Sequence, residues 1–227
     1  MKLTHSFPAL NATSFQTLEA TLLEQFGYPS LPADYRDFLL EHNGGHVDPG
    51  WGQGAKPTHE VVFDTPLLWV RAENKPVQPA LITFFGAWLP AHMNKAEVTD
   101  WDMLELIASN EHSKHEFDVL PDLMMSVARC SHPQASDMLC IGLDARDFGN
   151  VYYNYGMWFY PIRAHGDYYD DRRKEILVKY QLGSESDADP KTQLGGDALF
   201  ELNRVEFVKV ANSFAEFLAG CRIEATS

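Results

Sequence analysis

Residues 31–45 constrain the fold most, because they predict a complete helix with both ends marked. Pro32 suits the first helical position, where its missing N–H would be unpaired in any case. Asp34 places a negative charge near the positive end of the helix dipole. Residues 43–45, Asn-Gly-Gly, predict the helix end, since these residue types adopt a left-handed closing conformation at little cost. The apolar positions recur at helical spacing and predict a core-facing stripe of Leu31, Tyr35, Phe38, Leu39 and His42.

Other segments carry weaker signals. An apolar stripe predicts a first helix over 13–26, with Thr13 and Gln16 as its capping box, and Ser213 with Glu216 predicts the start of a last helix. Strand-forming residues predict strands within 59–70 and 80–85. We also expect a helix over 99–108, a helical turn at Pro121 followed by a strand, a hairpin over 137–155 and a strand over 200–210. Residues 174–182 fit a strand or a short helix equally well.

This order of elements predicts the fold class. Helices at both ends of the chain with strands between them are typical of an α+β domain. We therefore expect a single domain with a mainly antiparallel sheet, flanked by two N-terminal helices and a C-terminal helix.

Three segments resemble one known family. LPADYRDFLLEHNGG resembles the signature of the SUKH superfamily, also called the Smi/Knr type, in which a Leu-Pro helix ends in Asn-Gly-Gly. DMLCIGLDARDFGNVYYN resembles that family's central strand pair, and ANSFAEFL resembles its closing helix. The three segments occur in family order. Because members are usually shorter, the resemblance implies one SUKH-like domain over 1–227 with insertions at about 46–79 and 165–203.

The resemblance also implies a function. The family is best known for bacterial immunity proteins that bind and neutralise a toxin, and it includes a fungal cell-wall regulator. It therefore implies a non-enzymatic protein-binding module, an immunity protein that neutralises a cognate toxin by occlusion. The alternative is a regulatory scaffold protein that binds a cellular partner.

The charge of the chain restricts its partners. Its 18 Lys and Arg against 32 Asp and Glu give a formal net charge of −14. Nucleic acid and anionic membranes would be repelled, whereas a basic protein would be attracted. No signal-peptide run and no apolar stretch of about 18 residues is present. Three cysteines without paired spacing fit a reducing compartment, and we expect a cytoplasmic protein.

The sequence contains no assembled catalytic or metal motif. His42 and His46 have the spacing of helical zinc ligands, but two glycines separate them. His112 and His115 have no third His or Cys nearby. Cys140 lies in an apolar strand, where a thiol usually acts as a small hydrophobe. We expect no enzymatic activity and no metal or organic cofactor; a hydrolase with an unrecognised site is the third alternative.

The segment GDYYDDRR is the strongest candidate for partner binding. Tyr and Arg are enriched at binding hot spots, and neighbouring carboxylates suit a basic partner. The competing interpretation is a charged surface loop whose ions pair with one another. Two weaker candidates are a Trp in a glycine-rich loop and a Trp between two aspartates. The predicted binding residues are Asp167, Tyr168, Tyr169, Asp170 and Asp171, followed by Trp51 and by Asp100, Trp101 and Asp102.

Overall fold

The computed structural model describes residue 3 and residues 9–45, 59–64, 80–87, 105–116, 120–132, 135–154, 166–180 and 196–225. The α-helices are α1 (Ala12–Phe26), α2 (Ala33–His42), α3 (Leu106–Glu111), α4 (Gly166–Lys179), α5 (Gly196–Leu202) and α6 (Phe214–Gly220). A π-helical stretch, His112–Glu116, continues α3. The strands are β1 (His59–Val62), β2 (Ala80–Phe84), β3 (Met124–His132), β4 (Ala135–Gly142), β5 (Val151–Asn154), β6 (Phe207–Ala211) and β7 (Arg222–Ala225).

The strands form one antiparallel sheet with the order β6-β5-β4-β3-β2-β1-β7. Side chains alternate between its two faces. On β4, Leu139 and Ile141 belong to the main core, while Met138 and Cys140 belong to a smaller cluster on the opposite face. The α+β class with an antiparallel sheet and helices at both ends is confirmed.

Helices α1, α2 and α6 cover the main-core face. The ring of Phe214 in α6 lies 4.9 Å from the ring of Tyr35 and 5.1 Å from that of Phe38 in α2, measured between centroids. Edge-to-face pairs of this kind add to the free energy gained from burial. The core-facing stripe predicted for α2 is confirmed for Tyr35, Phe38 and Leu39, which are buried.

The Asn-Gly-Gly segment joins α2 to the sheet. Asn43 adopts a left-handed conformation, with φ 46° and ψ 53°. Its side chain donates to the Ala87 carbonyl (3.1 Å) and accepts from the Ala87 N–H (2.8 Å). A Cβ at Gly44 would lie 2.5 Å from the backbone nitrogen of Gly86, so only glycine fits there. Gly45 then exchanges two backbone hydrogen bonds with Phe84 in β2.

The hairpin and the closing helix are confirmed. Ile141 pairs with Val151 next to the turn between β4 and β5, and Gly149 takes a positive φ of 83° in that turn. The Ser213 hydroxyl accepts from the N–H of Glu216 at the start of α6 (3.1 Å). Strands within 59–70 and 80–85 are also present, as is the turn after Pro121 that precedes β3.

Two predicted helix starts are wrong. Asn11, not Thr13, caps α1: its side chain accepts from the Ser14 N–H, and the Ser14 hydroxyl accepts from the Asn11 N–H. Asn is a strong capping residue, and the reciprocal pair satisfies two otherwise unpaired donors. Pro32 caps α2 in an extended conformation (ψ 141°) rather than occupying its first turn.

Three further assignments are wrong in part. Glu105 is extended and caps α3, with its carboxylate accepting from the Ala108 N–H, so the helix expected over 99–108 begins only at Leu106. Residues 99–104 lie outside the described residues. The segment 166–173 belongs to helix α4 rather than to a loop. The same helix continues to Lys179, so the segment 174–182, which fitted a strand or a helix, is helical up to that residue. The strand expected over 200–210 is helix α5 up to Leu202, and β6 begins at Phe207.

Candidate protein-binding surfaces

Helices α1, α2 and α6 form what we call the helical layer. Phe15, Leu18, Leu22 and Phe26 point from α1 into the core, so the opposite side of α1 faces outward. The Asp34 carboxylate at the start of α2 accepts from the N–H of Ala215 in α6 (2.8 Å). The guanidinium of Arg36 lies over the Phe15 ring at 4.8 Å and links α2 to α1.

The helical layer is strongly acidic. Its three helices carry six carboxylates against one cationic side chain, Arg36, which is committed to the Phe15 ring. Among the residues described, Glu19, Glu24 and Asp37 form no ion pair. Lys209 in β6 lies close enough to help lower the pKa of Glu216, although the hydrogen bonds from Asn212 lower it more. The six carboxylates are those of Glu19, Glu24, Asp34, Asp37, Glu41 and Glu216.

An exposed apolar side chain lies within this acidic surface. Leu23 in α1 is 54% exposed. Glu19 lies one helical turn before Leu23 and therefore on the same side of α1, and Glu24 follows it directly. The helical layer thus presents an apolar side chain beside carboxylates, the combination that suits a partner with a basic rim around an apolar contact.

The predicted segment 167–171 lies on α4, and its described charges are paired locally. Asp171 accepts from Lys174 (3.2 Å), and Glu175 accepts from Arg172 (2.8 Å). The competing interpretation, self-paired surface ions, therefore holds for Asp171, although on a helix rather than in a loop. Trp51, Asp100, Trp101 and Asp102 lie outside the described residues.

A polar junction that was not predicted joins the β4–β5 turn to α5. The ring of Phe200 lies between two guanidinium groups, those of Arg146 and Arg204, each 4.1 Å from its centroid. Arg204 pairs with Asp147 (2.5 Å), and both side chains are buried. A Cβ at Gly142 would lie 2.5 Å from Asp147 Cγ, which places this carboxylate against the sheet.

Ionisation at this junction follows from its hydrogen bonds and burial. Arg146 donates twice to Asp144 (both 2.8 Å) and holds the pKa of that carboxyl at about 2. Burial raises the pKa of Tyr152 to about 12, and the negative charge of Asp147 adds to the shift. Fifty-seven residues separate the buried pair Asp147 and Arg204 in sequence, so no local motif indicated it. The junction positions α5 against the hairpin.

Cys140 and Cys130 are buried, and His115 packs on an aromatic ring. Burial raises the pKa of the Cys140 thiol, which therefore stays protonated, although the thiolate is the nucleophilic form. The His115 ring stacks on Phe26 at 5.9 Å. In the described part of the chain, no three His, Cys, Asp or Glu side chains are grouped as metal ligands would be.

The described helices include none that is long and apolar enough to cross a membrane. The chain matched no curated protein and no solved structure. A family model, that of the SMI1/KNR4 family (SUKH-1), matches residues 20–220. This range contains α2 with its Asn-Gly-Gly end, the β4–β5 hairpin and α6, the three segments in which the resemblance was noted. Because the match extends over most of the chain, the chain belongs to the SMI1/KNR4 family (SUKH-1).

Proposed function

We propose that this chain is an immunity protein that binds a basic toxin through the outer surface of the helical layer and neutralises it by occlusion. Family membership supports a protein partner. The observation that carries the choice of surface is exposed Leu23 beside Glu19 and Glu24, two carboxylates that form no ion pair within the described part of the chain. We expect the protein to act in a reducing cytoplasm, because none of its three cysteines forms a disulfide.

Charge and apolar contact have separate roles in this proposal. Exposed carboxylates raise the association rate of a basic partner, and salt weakens this effect because charges are screened over about 8 Å at physiological ionic strength. Local contacts such as Leu23 mainly determine the dissociation rate. Glu19, Glu24 and Asp37 are therefore steering residues, and Leu23 is an anchor.

The residues predicted from sequence provide a second candidate surface. Tyr168 and Tyr169, with Asp170 and Asp171, are proposed there as anchors and steering charges, and Trp51 and residues 100–102 extend that proposal. The paired state of Asp171 makes this surface the weaker candidate, because Lys174 already offsets its charge. Asp167 belongs to the same segment and stays a prediction.

Matched variants distinguish the two surfaces. Glu19→Lys/Glu24→Lys and Asp171→Lys/Glu175→Lys change the net charge equally, by +4, but on different helices. Leu23→Ser and Val178→Ser remove an exposed apolar side chain from α1 and α4, respectively. Each protein is immobilised and used to capture partners from the native cell, with identification by mass spectrometry. Association and dissociation rates of the captured partner are then measured by surface plasmon resonance across a salt series.

We expect a basic protein to be retained by the parent chain and by both α4 variants. Glu19→Lys/Glu24→Lys slows association and removes most of its salt dependence, whereas Leu23→Ser speeds dissociation. Loss of binding in the α4 variants alone would move the binding surface to the segment predicted from sequence. A captured cellular protein without toxic activity would instead favour the regulatory scaffold.

A further inference from the structure

Strand β7 is an edge of the sheet that is left open to a second chain. It pairs with β1, with Val61 opposite Ile223 and Val62 opposite Arg222. In the described sheet it has no neighbour on its other side, and all four of its residues are exposed. An edge strand presents unpaired N–H and C=O groups, which another strand can pair with.

The two faces of β7 differ in character. Ile223 shares a face with its partner Val61, which is 2% exposed and part of the main core, yet Ile223 itself is 50% exposed. Arg222 and Glu224 lie on the opposite face. The Arg222 guanidinium contacts the carboxylates of Asp64 (3.0 Å) and Glu224 (3.4 Å) on this exposed surface. The apolar side of the sheet therefore ends at a half-exposed isoleucine.

The sequence of β7 is complementary to itself. When two antiparallel copies place Ile223 opposite Ile223, Arg222 of each copy lies opposite Glu224 of the other. Opposite charges and apolar pairs directly across an antiparallel ladder both stabilise it. A two-fold axis that passes between the two copies of Ile223 produces all three favourable pairs at once. Closed dimers have this symmetry.

We propose that two copies of this chain associate through antiparallel pairing of β7 with β7, in which the two copies of Ile223 face each other across the two-fold axis. The pairing extends the sheet across both copies and covers the exposed apolar edge. Each strand contributes four residues, so the dimer is weak and depends on concentration, as small interfaces are. The residues proposed to bind the toxin lie on α1 and α2 rather than on β7, so this proposal does not depend on the proposed function.

Disulfide trapping tests the register. In a Cys221→Ser background, Ile223→Cys places two thiols opposite each other at a Cα separation of about 4.5–5.5 Å, within disulfide range. Ala225→Cys in the same background is the matched control, because its two copies lie four positions out of register, about 13 Å apart along the strands. Mild oxidation is expected to yield a covalent dimer with Ile223→Cys only.

Light scattering and sedimentation test the dimer without a cross-link. The parent mass is expected to rise from the single-chain value of 25.7 kDa towards twice that value with concentration. Glu224→Arg places Arg opposite Arg at two symmetric positions and raises the dissociation constant about tenfold. The proposal is overturned if the mass stays at the single-chain value at protein concentrations up to about 1 mM. Equal cross-linking of both cysteine variants, or association of Glu224→Arg that equals that of the parent, overturns it as well.

Discussion

Replacing Asn43 is expected to destabilise the protein by more than the loss of one hydrogen bond would, because this side chain has two structural roles. Asn43 and Ala87 are both fully buried, and two hydrogen bonds join them. Asn43 also closes α2 in a left-handed conformation. One side chain therefore ends the helix and ties it to the segment that follows β2.

The magnitude follows from these two roles. Asn43→Gly keeps the left-handed backbone but leaves the N–H and C=O of Ala87 without their partner, and each unsatisfied buried group costs about 1–3 kcal/mol. Partial solvation of the gap favours the lower part of that range, so we expect a loss of about 2–4 kcal/mol. Asn43→Ala adds the steric cost of a Cβ in the left-handed region, about 1 kcal/mol more.

Urea denaturation followed by circular dichroism measures both losses, since the midpoint multiplied by the slope gives the free energy of unfolding. Comparison of the Gly and Ala variants separates the hydrogen bonds from the backbone conformation. If both variants unfold within about 0.5 kcal/mol of the parent, the range of ordinary surface substitutions, the role assigned to Asn43 is wrong.

Three further predictions concern stability. Phe38→Ala, which removes a buried ring 5.0 Å from that of Phe84, should cost about 3–5 kcal/mol, whereas Leu23→Ala on the surface should cost far less. Asp144→Asn should cost about 1 kcal/mol at pH 7, because the pair with Arg146 is partly exposed. The pKa of Asp144 is depressed to about 2, so this difference should be present in full well above about pH 4, the pKa of an unfolded aspartate, and should be lost as the pH falls through 2. Burial raises the pKa of Glu206, so Glu206→Gln should stabilise the fold at neutral pH, with the gain fading as the pH falls below the pKa of an unfolded glutamate.

Urea denaturation at pH values between 2 and 7 checks these three together. An unchanged midpoint for Phe38→Ala would contradict the packing of α2 on β2 and α6. A loss in Asp144→Asn that is as large at pH 2 as at pH 7 would contradict the ion pair. Destabilisation by Glu206→Gln at neutral pH would show that its pairing with Arg173 (3.7 Å) outweighs the effect of burial.

Elements with strong local signals were predictable from the sequence. Residues 43–45 mark the end of α2, because Asn and Gly adopt the left-handed conformation at little cost. The β4–β5 hairpin is marked by the turn residues between its strands. Helix α5 was not predictable, because Phe200 is a residue type that is enriched in strands. Its contacts with Arg146 and Arg204 exist only in the folded chain. Strand β7 was missed because its polar–apolar alternation, Arg-Ile-Glu-Ala, covers only four residues, the shortest run that indicates a strand.

The candidate surface was harder to predict than the fold. Glu19, Glu24 and Asp37 are the ordinary polar side of two amphipathic helices when each helix is considered alone. Their charges add up only once the fold packs α1 and α2 on the same core, where Arg36 lies over Phe15. The segment 167–171 attracted attention through its composition, but composition does not show which charges pair within the helix.

Growth of cells that produce the captured basic partner tests the central claim most directly. The partner alone is expected to arrest growth, and co-production of the parent chain is expected to restore it. The Asp171→Lys/Glu175→Lys variant should protect as well as the parent, whereas Glu19→Lys/Glu24→Lys combined with Leu23→Ser should not. Normal growth with the partner alone, or arrest that the parent chain does not relieve, would contradict the immunity function.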